Sequence, residues 1–203
     1  MQRRSSRDTM RKKNTAAYVT SEMAAIMQRV SDDLDDSEIT RTLHFSPTAL
    51  TVVRHVMMMS GCIVTDTMIM LSEINRQMLS KLSVSAKCYV DDPQILDVAE
   101  QRHTTRAGVA IDYALALPGL KMIAIGSAPG ALERLLQRNA VENLTDVVVV
   151  AAPTGFASVV QLKERLWESR LPCIVLRGKR GGPMAASSIV NALLAEAIKA
   201  QCV

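Results

Sequence analysis

The chain has 203 residues, 48% of them hydrophobic, with a mean hydropathy of +0.13 and a formal net charge of +4; that is enough to bury one sizeable core and too short for two, and too apolar for a disordered chain. No apolar run approaches the length of a membrane span, and the opening stretch MQRRSSRDTMRKKN lacks the apolar segment of a secretory signal, so a cytoplasmic location is expected. The charge is unevenly placed: Arg3, Arg4, Arg7, Arg11, Lys12 and Lys13 stand against Asp8, the rest of the chain nearly balances, and aromatic residues make up only 3%, which leaves few platforms for stacking bases, so no nucleic-acid partner is expected.

Residues 1–16 read as a basic, disordered tail and 17–203 as one domain. A helix is predicted from about Tyr18, where Ala24, Ala25, Met27 and Val30 give an apolar stripe, up to an acidic break at Asp32, Asp33, Asp35 and Asp36. A short helix is predicted over Glu38–Leu43. Ser46-Pro47 reads as an N-cap followed by proline at the first helical position, opening a helix that stops near Gly61. From there strands and helices alternate. Cys62–Thr65 is a strand, followed by a helix from Asp66 to Leu82. Ser85–Val90 is a strand interrupted by Lys87, followed by helices at Pro93–Gln101 and Arg106–Leu117. Met122–Ile125 is a strand before a helix over Pro129–Asn139. Asp146–Ala151, with four successive valines, is a strand covered on both faces, followed by a helix over Ser158–Ser169. Cys173–Leu176 is the last strand and Ala185–Gln201 the last helix.

Short apolar strands alternating with helices predict a three-layer α/β/α domain with a five-stranded parallel sheet in a flavodoxin-like order. Cys62, Cys88 and Cys173 lie in strand-like stretches, as buried free thiols would, and no Cys/His cluster has metal-ligand spacing. No metal ion is expected. The methionines, Met57-Met58-Met59 included, read as core filler.

Ligands of open α/β sheets bind beyond the carboxyl ends of the strands, so the segments following the strands are the candidate site. They are Thr65-Asp66-Thr67, Gly126-Ser127-Ala128-Pro129-Gly130, Pro153-Thr154-Gly155-Phe156 and Arg177-Gly178-Lys179-Arg180-Gly181-Gly182. Glycines allow backbone N–H groups close to a ligand, helix N-termini favour anions, and the last segment adds fixed positive charge. Together they describe a site for a multiply anionic ligand. No GxGxxG or Walker A pattern is present, so a nucleotide phosphate is not indicated.

Five strings, in order and in register from about residue 18 to 200, resemble the precorrin-8X methylmutases. They are Phe45-Ser46-Pro47 ahead of a helix, a strand and Asp66; Thr104-Thr105-Arg106, where the family has Asn-Thr-Arg; Ala124 to Leu132, AIGSAPGAL, where the family reads AIGNAPTAL; Pro153–Phe156 beside the family's PVGF; and Arg177–Gly182 beside its RGRxGGS. The resemblance implies a flavodoxin-like homodimer that shifts a methyl group from C-11 to C-12 of a carboxylate-rich tetrapyrrole macrocycle in cobalamin biosynthesis, an intramolecular isomerisation that uses no cofactor. It assigns substrate binding to Asp66, Thr105, Arg106, Gly126, Ser127, Gly155, Phe156, Lys163, Arg177, Gly178, Lys179, Arg180, Gly181 and Gly182. The family's acid is a histidine about 13 residues before the Phe-Ser-Pro string. Here that position holds Asp32, the candidate catalytic residue, while His44, His55 and His103 fall elsewhere. Two functions are therefore open: a methylmutase-like isomerase, or a catalytically silent relative that binds a tetrapyrrole or another polycarboxylate.

Overall fold

The β-branched runs of this chain sit in the middle of the sheet. In the computed structural model, which describes residues 19–142 and 144–201, the helices and strands follow in this order: α1 (Ser21–Leu34), α2 (Ile39–Thr42), β1 (Leu43–Phe45), α3 (Ala49–Met58), β2 (Cys62–Thr65), α4 (Met68–Glu73), α5 (Arg76–Leu82), β3 (Ser85–Cys88), α6 (Pro93–Gln101), α7 (Arg106–Ala116), β4 (Lys121–Ile125), α8 (Pro129–Val141), β5 (Val147–Ala151), α9 (Ala157–Glu168), β6 (Cys173–Leu176) and α10 (Pro183–Gln201). The basic tail expected over residues 1–16 and Cys202 lie outside the described residues.

The sheet order is β1-β6-β5-β4-β2-β3. The five strands from β2 to β6 are parallel and take the flavodoxin-like order, reversing direction between β2 and β4. The sheet has a sixth strand that the sequence reading did not contain. β1 pairs antiparallel with β6, Leu43 opposite Leu176 and Phe45 opposite Ile174. Ser46 prolongs this edge: its N–H donates to the Cys173 carbonyl and its Oγ accepts from the Cys173 N–H, each at 2.8 Å. Ser46 therefore ties the chain to the end of β6 just past β1 rather than capping a helix, and α3 begins at Ala49. At the other edge Lys87 lies on β3, where a charged side chain discourages pairing with another chain.

Alternation along the central strands divides the core into two layers. Ile63, Met122, Ala124, Val148, Val150, Ile174 and Leu176 face α1, α3, α4, α5 and α10. Ile123, Ile125, Val147, Val149, Ala151, Cys173 and Val175 face α7, α8 and α9. β4 and β5 are buried at every position, the pattern of strands covered on both faces. α10 is buried along most of its length, through Ala185, Ala186, Ile189, Val190, Ala192, Leu193 and Leu194, and packs on α1, α4 and α5 as well as the sheet.

The helix predicted over residues 66–82 is broken in two. Asn191 of α10 does this: its Oδ1 accepts from the Asn75 N–H and its Nδ2 donates to the Glu73 carbonyl, both at 2.9 Å, while Asn75 caps α5 through Met78. α3 closes with Ser60 in the left-handed region (φ 52°) and a Gly61 N–H to Val56 carbonyl bond at 2.8 Å, so the stop lies one residue before the glycine. Met57 is core, but Met58 and Met59 are 73% and 71% exposed and fill nothing. Cys173 is a buried thiol; Cys62 and Cys88 are half-buried.

Candidate functional site

The parallel strands deliver four loops to one edge, and one candidate side chain there, Asp66, is buried. It follows β2, and the turn after β4 lies directly across the point where the strand order reverses. Asp66 Oδ2 accepts from the N–H groups of Ser127 and Ala128, both at 2.7 Å. These are donors at the start of α8, where a negative charge is favoured and where Ala128 offers no side-chain cap. Asp66 Oδ1 is buried with no hydrogen-bond partner among the described residues. The turn is tight as well as occupied. A Cβ on Gly126 would lie 2.8 Å from Pro183 Cα and 2.9 Å from Ala186 Cβ, so glycine lets the start of α10 rest on it. The Gly126–Ala128 turn, read from sequence as an open anion cradle, thus has two of its amides committed to an internal carboxylate.

Beside it, Thr105 caps α7 by accepting from the Gly108 N–H at 3.1 Å, and a Cβ on Gly130 would stand 3.2 Å from Thr105 Oγ1. The start of α7 therefore leans on the start of α8. Arg106 is more than half exposed and lies 3.6 Å from Asp91 in the loop after β3.

The loop after β6 is built differently. Gly178, Gly181 and Gly182 all have positive φ (84°, 147° and 123°). At Gly181 no other residue fits, since a Cβ would sit 2.0 Å from the Ala152 carbonyl oxygen. The Gly182 N–H donates to that same oxygen at 2.7 Å. The Lys179 carbonyl accepts from the Gly155 N–H at 3.3 Å and from Thr154 Oγ1 at 3.2 Å. The Arg180 carbonyl accepts from Lys163 Nζ at 2.9 Å. Lys163 comes from α9, is fully buried, and its pKa is pushed down to about 8 by desolvation.

The two arginines of this loop already have partners. Arg177 forms a forked pair with Glu164 and lies 5.7 Å over the ring of Trp167, which also meets His44 edge-on. Arg177 holds the Glu164 carboxyl below the usual range. Arg180 reaches across to Asp36, beyond the end of α1, and its guanidinium likewise lowers the Asp36 pKa. Lys179 is exposed.

Between α1, α2 and the loops after β5 and β6 lies an open cleft of about 440 Å³. Leu34, Ile39, Leu176 and Met184 give it an apolar wall; Asp36, Thr154, Arg180 and Gly181 give it a polar rim. Phe156, 87% exposed, stands on the loop after β5. Of the residues predicted from sequence, Arg180 and Gly181 line this cleft, Gly155 and Lys163 support it from behind, and Arg106 and Thr105 belong to the neighbouring α7–α8 corner. Asp32 lies on the exposed side of α1, accepting from Gln28 Nε2 at 2.7 Å, and is not among the residues of the cleft. Asp36, beyond the end of α1, is. Helical spacing does not predict its place, because α1 ends at Leu34 and Asp35 turns the chain through the left-handed region (φ 49°) before Asp36. Among the described residues no group of His, Cys, Asp or Glu side chains could hold a metal ion, and no helix is long and apolar enough to cross a membrane.

Comparison with known proteins agrees with this arrangement. Two solved structures superpose on it across 89% of the chain: a precorrin-8X methylmutase related protein (TM-score 0.80, 24% identity, 94% of that chain covered) and the precorrin-8X methylmutase of Thermus thermophilus (TM-score 0.78, 22%, 89% covered). The cobalt-precorrin-8 methylmutase of Salmonella typhimurium is 36% identical over 171 residues, covering 84% of this chain and 80% of the relative; that of Methanothermobacter thermautotrophicus is 30% identical over 172 residues, covering 84% and 79%. The precorrin-8X methylmutase family model matches residues 3–196, a span that takes in every loop of the site. A glycine loop after β6, an aspartate bridging the reversal of the sheet and a family match over nearly the whole sequence lead to one conclusion: the chain belongs to the precorrin-8X methylmutase family.

Proposed function

We propose that the cleft beside the β6 loop binds the rim of a carboxylate-rich tetrapyrrole, and that the protein acts on such a precorrin in cobalamin biosynthesis, in the cytoplasm and as a homodimer with the pocket shared between subunits. One observation carries the reading: an apolar wall of Leu34, Ile39 and Met184 faces a polar rim containing Arg180 within a single cleft. A macrocycle with apolar faces and a charged edge needs both. Apolar burial supplies affinity in proportion to area, and charged hydrogen bonds on the rim supply orientation.

In the family reaction the bond from the methyl carbon to C-11 breaks and a bond to C-12 forms, so substrate and product are isomers and no cofactor is consumed. The chain's share of the work is to hold the ring rigidly and to manage a proton on it. Arg180 and Lys179 would take ring carboxylates. Asp36 is unsuited to donate a proton, because Arg180 keeps it ionised. Asp32, on α1, is the residue that the resemblance aligns with the family's histidine, and it is the carboxyl proposed for that role.

The test is an absorption titration of the full chain with a cobalt corrin polycarboxylate, followed by turnover of precorrin-8X. Binding should shift the visible spectrum, and Arg180→Ala should weaken it about ten- to a hundredfold, the equivalent of one charge-assisted hydrogen bond. Affinity unaffected by Arg180→Ala would remove the cleft from consideration. Binding without turnover would mark the protein as a tetrapyrrole binder, a reading favoured by one specific observation, the position of Asp32 outside the cleft.

A further inference from the structure

A lysine side chain fully removed from water is an unusual core residue. Lys163 sits on α9 between Val159 and Leu166, both buried, with a relative exposure of 0%. Burying an ammonium costs several kcal/mol unless it is paired and fully hydrogen-bonded. Lys163 meets neither condition. The one bond its three donors make among the described residues is to the Arg180 carbonyl, a neutral acceptor, and the adjacent Glu164 is engaged with Arg177. Packing alone would be served better by Met or Leu at this position, so the charge calls for another explanation.

The carbonyl it holds provides one. Arg180 is the middle of the Gly178–Gly182 loop, whose three glycines with positive φ give it more conformational freedom than any other segment at this edge. The neighbouring ties to Ala152, Thr154 and Gly155 hold the loop at its flanks. The Lys163 bond holds its centre from beneath, at the residue whose side chain lines the cleft. Fixing that backbone before a ligand arrives removes an ordering cost from binding. An ammonium directly behind the loop also adds positive potential where the dielectric is low.

We propose that Lys163 is a positioning residue, a buried cation that fixes the anion-binding loop through the Arg180 carbonyl rather than a group that touches the ligand. This rests on the reading of that loop as the carboxylate site.

The experiment compares the wild-type chain with Lys163→Met, similar in length but unable to donate. Three quantities are read: amide hydrogen exchange at Gly155 and residues 178–182, the affinity for a cobalt corrin polycarboxylate, and the melting temperature. Lys163→Met should speed exchange in the loop at least tenfold and weaken corrin binding about tenfold, while melting at the same temperature or higher. Unchanged exchange and affinity overturn the proposal. So does a lower melting temperature with the loop still protected, the result for an ordinary core residue. If Lys163→Met does not fold, Lys163→Gln, neutral but still a donor, should show the same effects in smaller degree, and protection equal to wild type again overturns the assignment. A wild-type protein that fails to bind the corrin counts against the proposed function, whereas loop exchange decides the role of Lys163 either way.

Discussion

Two turns at one edge of the same sheet are held by opposite means. The turn after β4 is closed by a carboxylate: Asp66 occupies two of its N–H groups, and the first turn of α10 rests on Gly126. The loop after β6 is left open by its glycines and restrained by cations and carbonyls, with Lys163 beneath it and Arg180 bridging to Asp36. The first turn is finished before any ligand is present. The second has a side-chain partner on its outer side, Asp36 at Arg180, which on the proposed reading a ligand carboxylate would replace. The lesson is that glycine-rich turns at a sheet edge are not equivalent; which of them serves a ligand depends on whether their amides are already taken.

The largest blow to this division should come from Gly181→Val. The residue has φ 147°, and its Cβ would overlap the Ala152 carbonyl, so a destabilisation of about 3 kcal/mol or more is expected in denaturant titration. Asp66→Ala tests the closed turn. It leaves two helix-start amides without the buried carboxylate they now bond to, and about 1–3 kcal/mol should be lost. Asp66→Asn, which keeps an acceptor, should recover much of that, and equal losses for the two variants would mean that Asp66 does something other than bond these amides.

Lys163→Met should act in the opposite direction, raising stability by about 1–3 kcal/mol at neutral pH, because the folded state disfavours the lysine's charged form. The sign follows from its depressed pKa. Below about pH 8 the ammonium is charged in both folded and unfolded chains and its burial penalty is fully present. As pH rises from about 8 towards the ordinary value of 10.5 the folded chain sheds that proton first, so the wild type gains stability and the gap to Lys163→Met closes. The Cys173 thiol, pushed up to about 11 by burial, titrates in both proteins and cancels in their difference. Denaturant midpoints at about pH 6.5 and about pH 10, on either side of the lysine's pKa of about 8, measure it; a gap that widens with pH would contradict the assignment. Smallest of all is Asp36→Ala. As a surface pair it should change stability very little. Its value lies in binding, where release of Arg180 should strengthen corrin affinity at low salt, an effect that fades as ionic strength rises.

Much of this architecture was legible in the residues themselves. The valine run of β5 and the regular alternation from Cys62 onward are enough for five parallel strands and for the edge at which their loops gather. β1 was not legible, because Leu43-His44-Phe45 is three residues long, directly follows a helix, and owes its extension to Leu176, Val175 and Ile174 from far along the chain. The break at Asn75 was hidden for the same reason. No Gly or Pro marks it, and its cause is Asn191. At the site, the string Arg177–Gly182 announces positive charge but not its partners. That Arg177 is turned outward to Glu164 and Trp167, while Arg180 lines a cleft, depends on α9 and α1, which periodicity alone does not bring together with this loop.

The pairing of β1 has a consequence for how the chain is made. Ser46 bonds to Cys173, 127 residues later, and Asp33 on α1 accepts from Ser188, 155 residues later. These early elements of the fold therefore complete their packing only against partners far along the chain. A nascent chain must carry the apolar stripe of α1 and the residues Leu43 and Phe45 without cover until β6 and α10 have emerged, whereas β2 to β5 can assemble in between. Such long-range closure is slow and leaves hydrophobic surface exposed in the meantime. During synthesis, the apolar residues between 21 and 46 would be a stretch for a chaperone to cover until that closure.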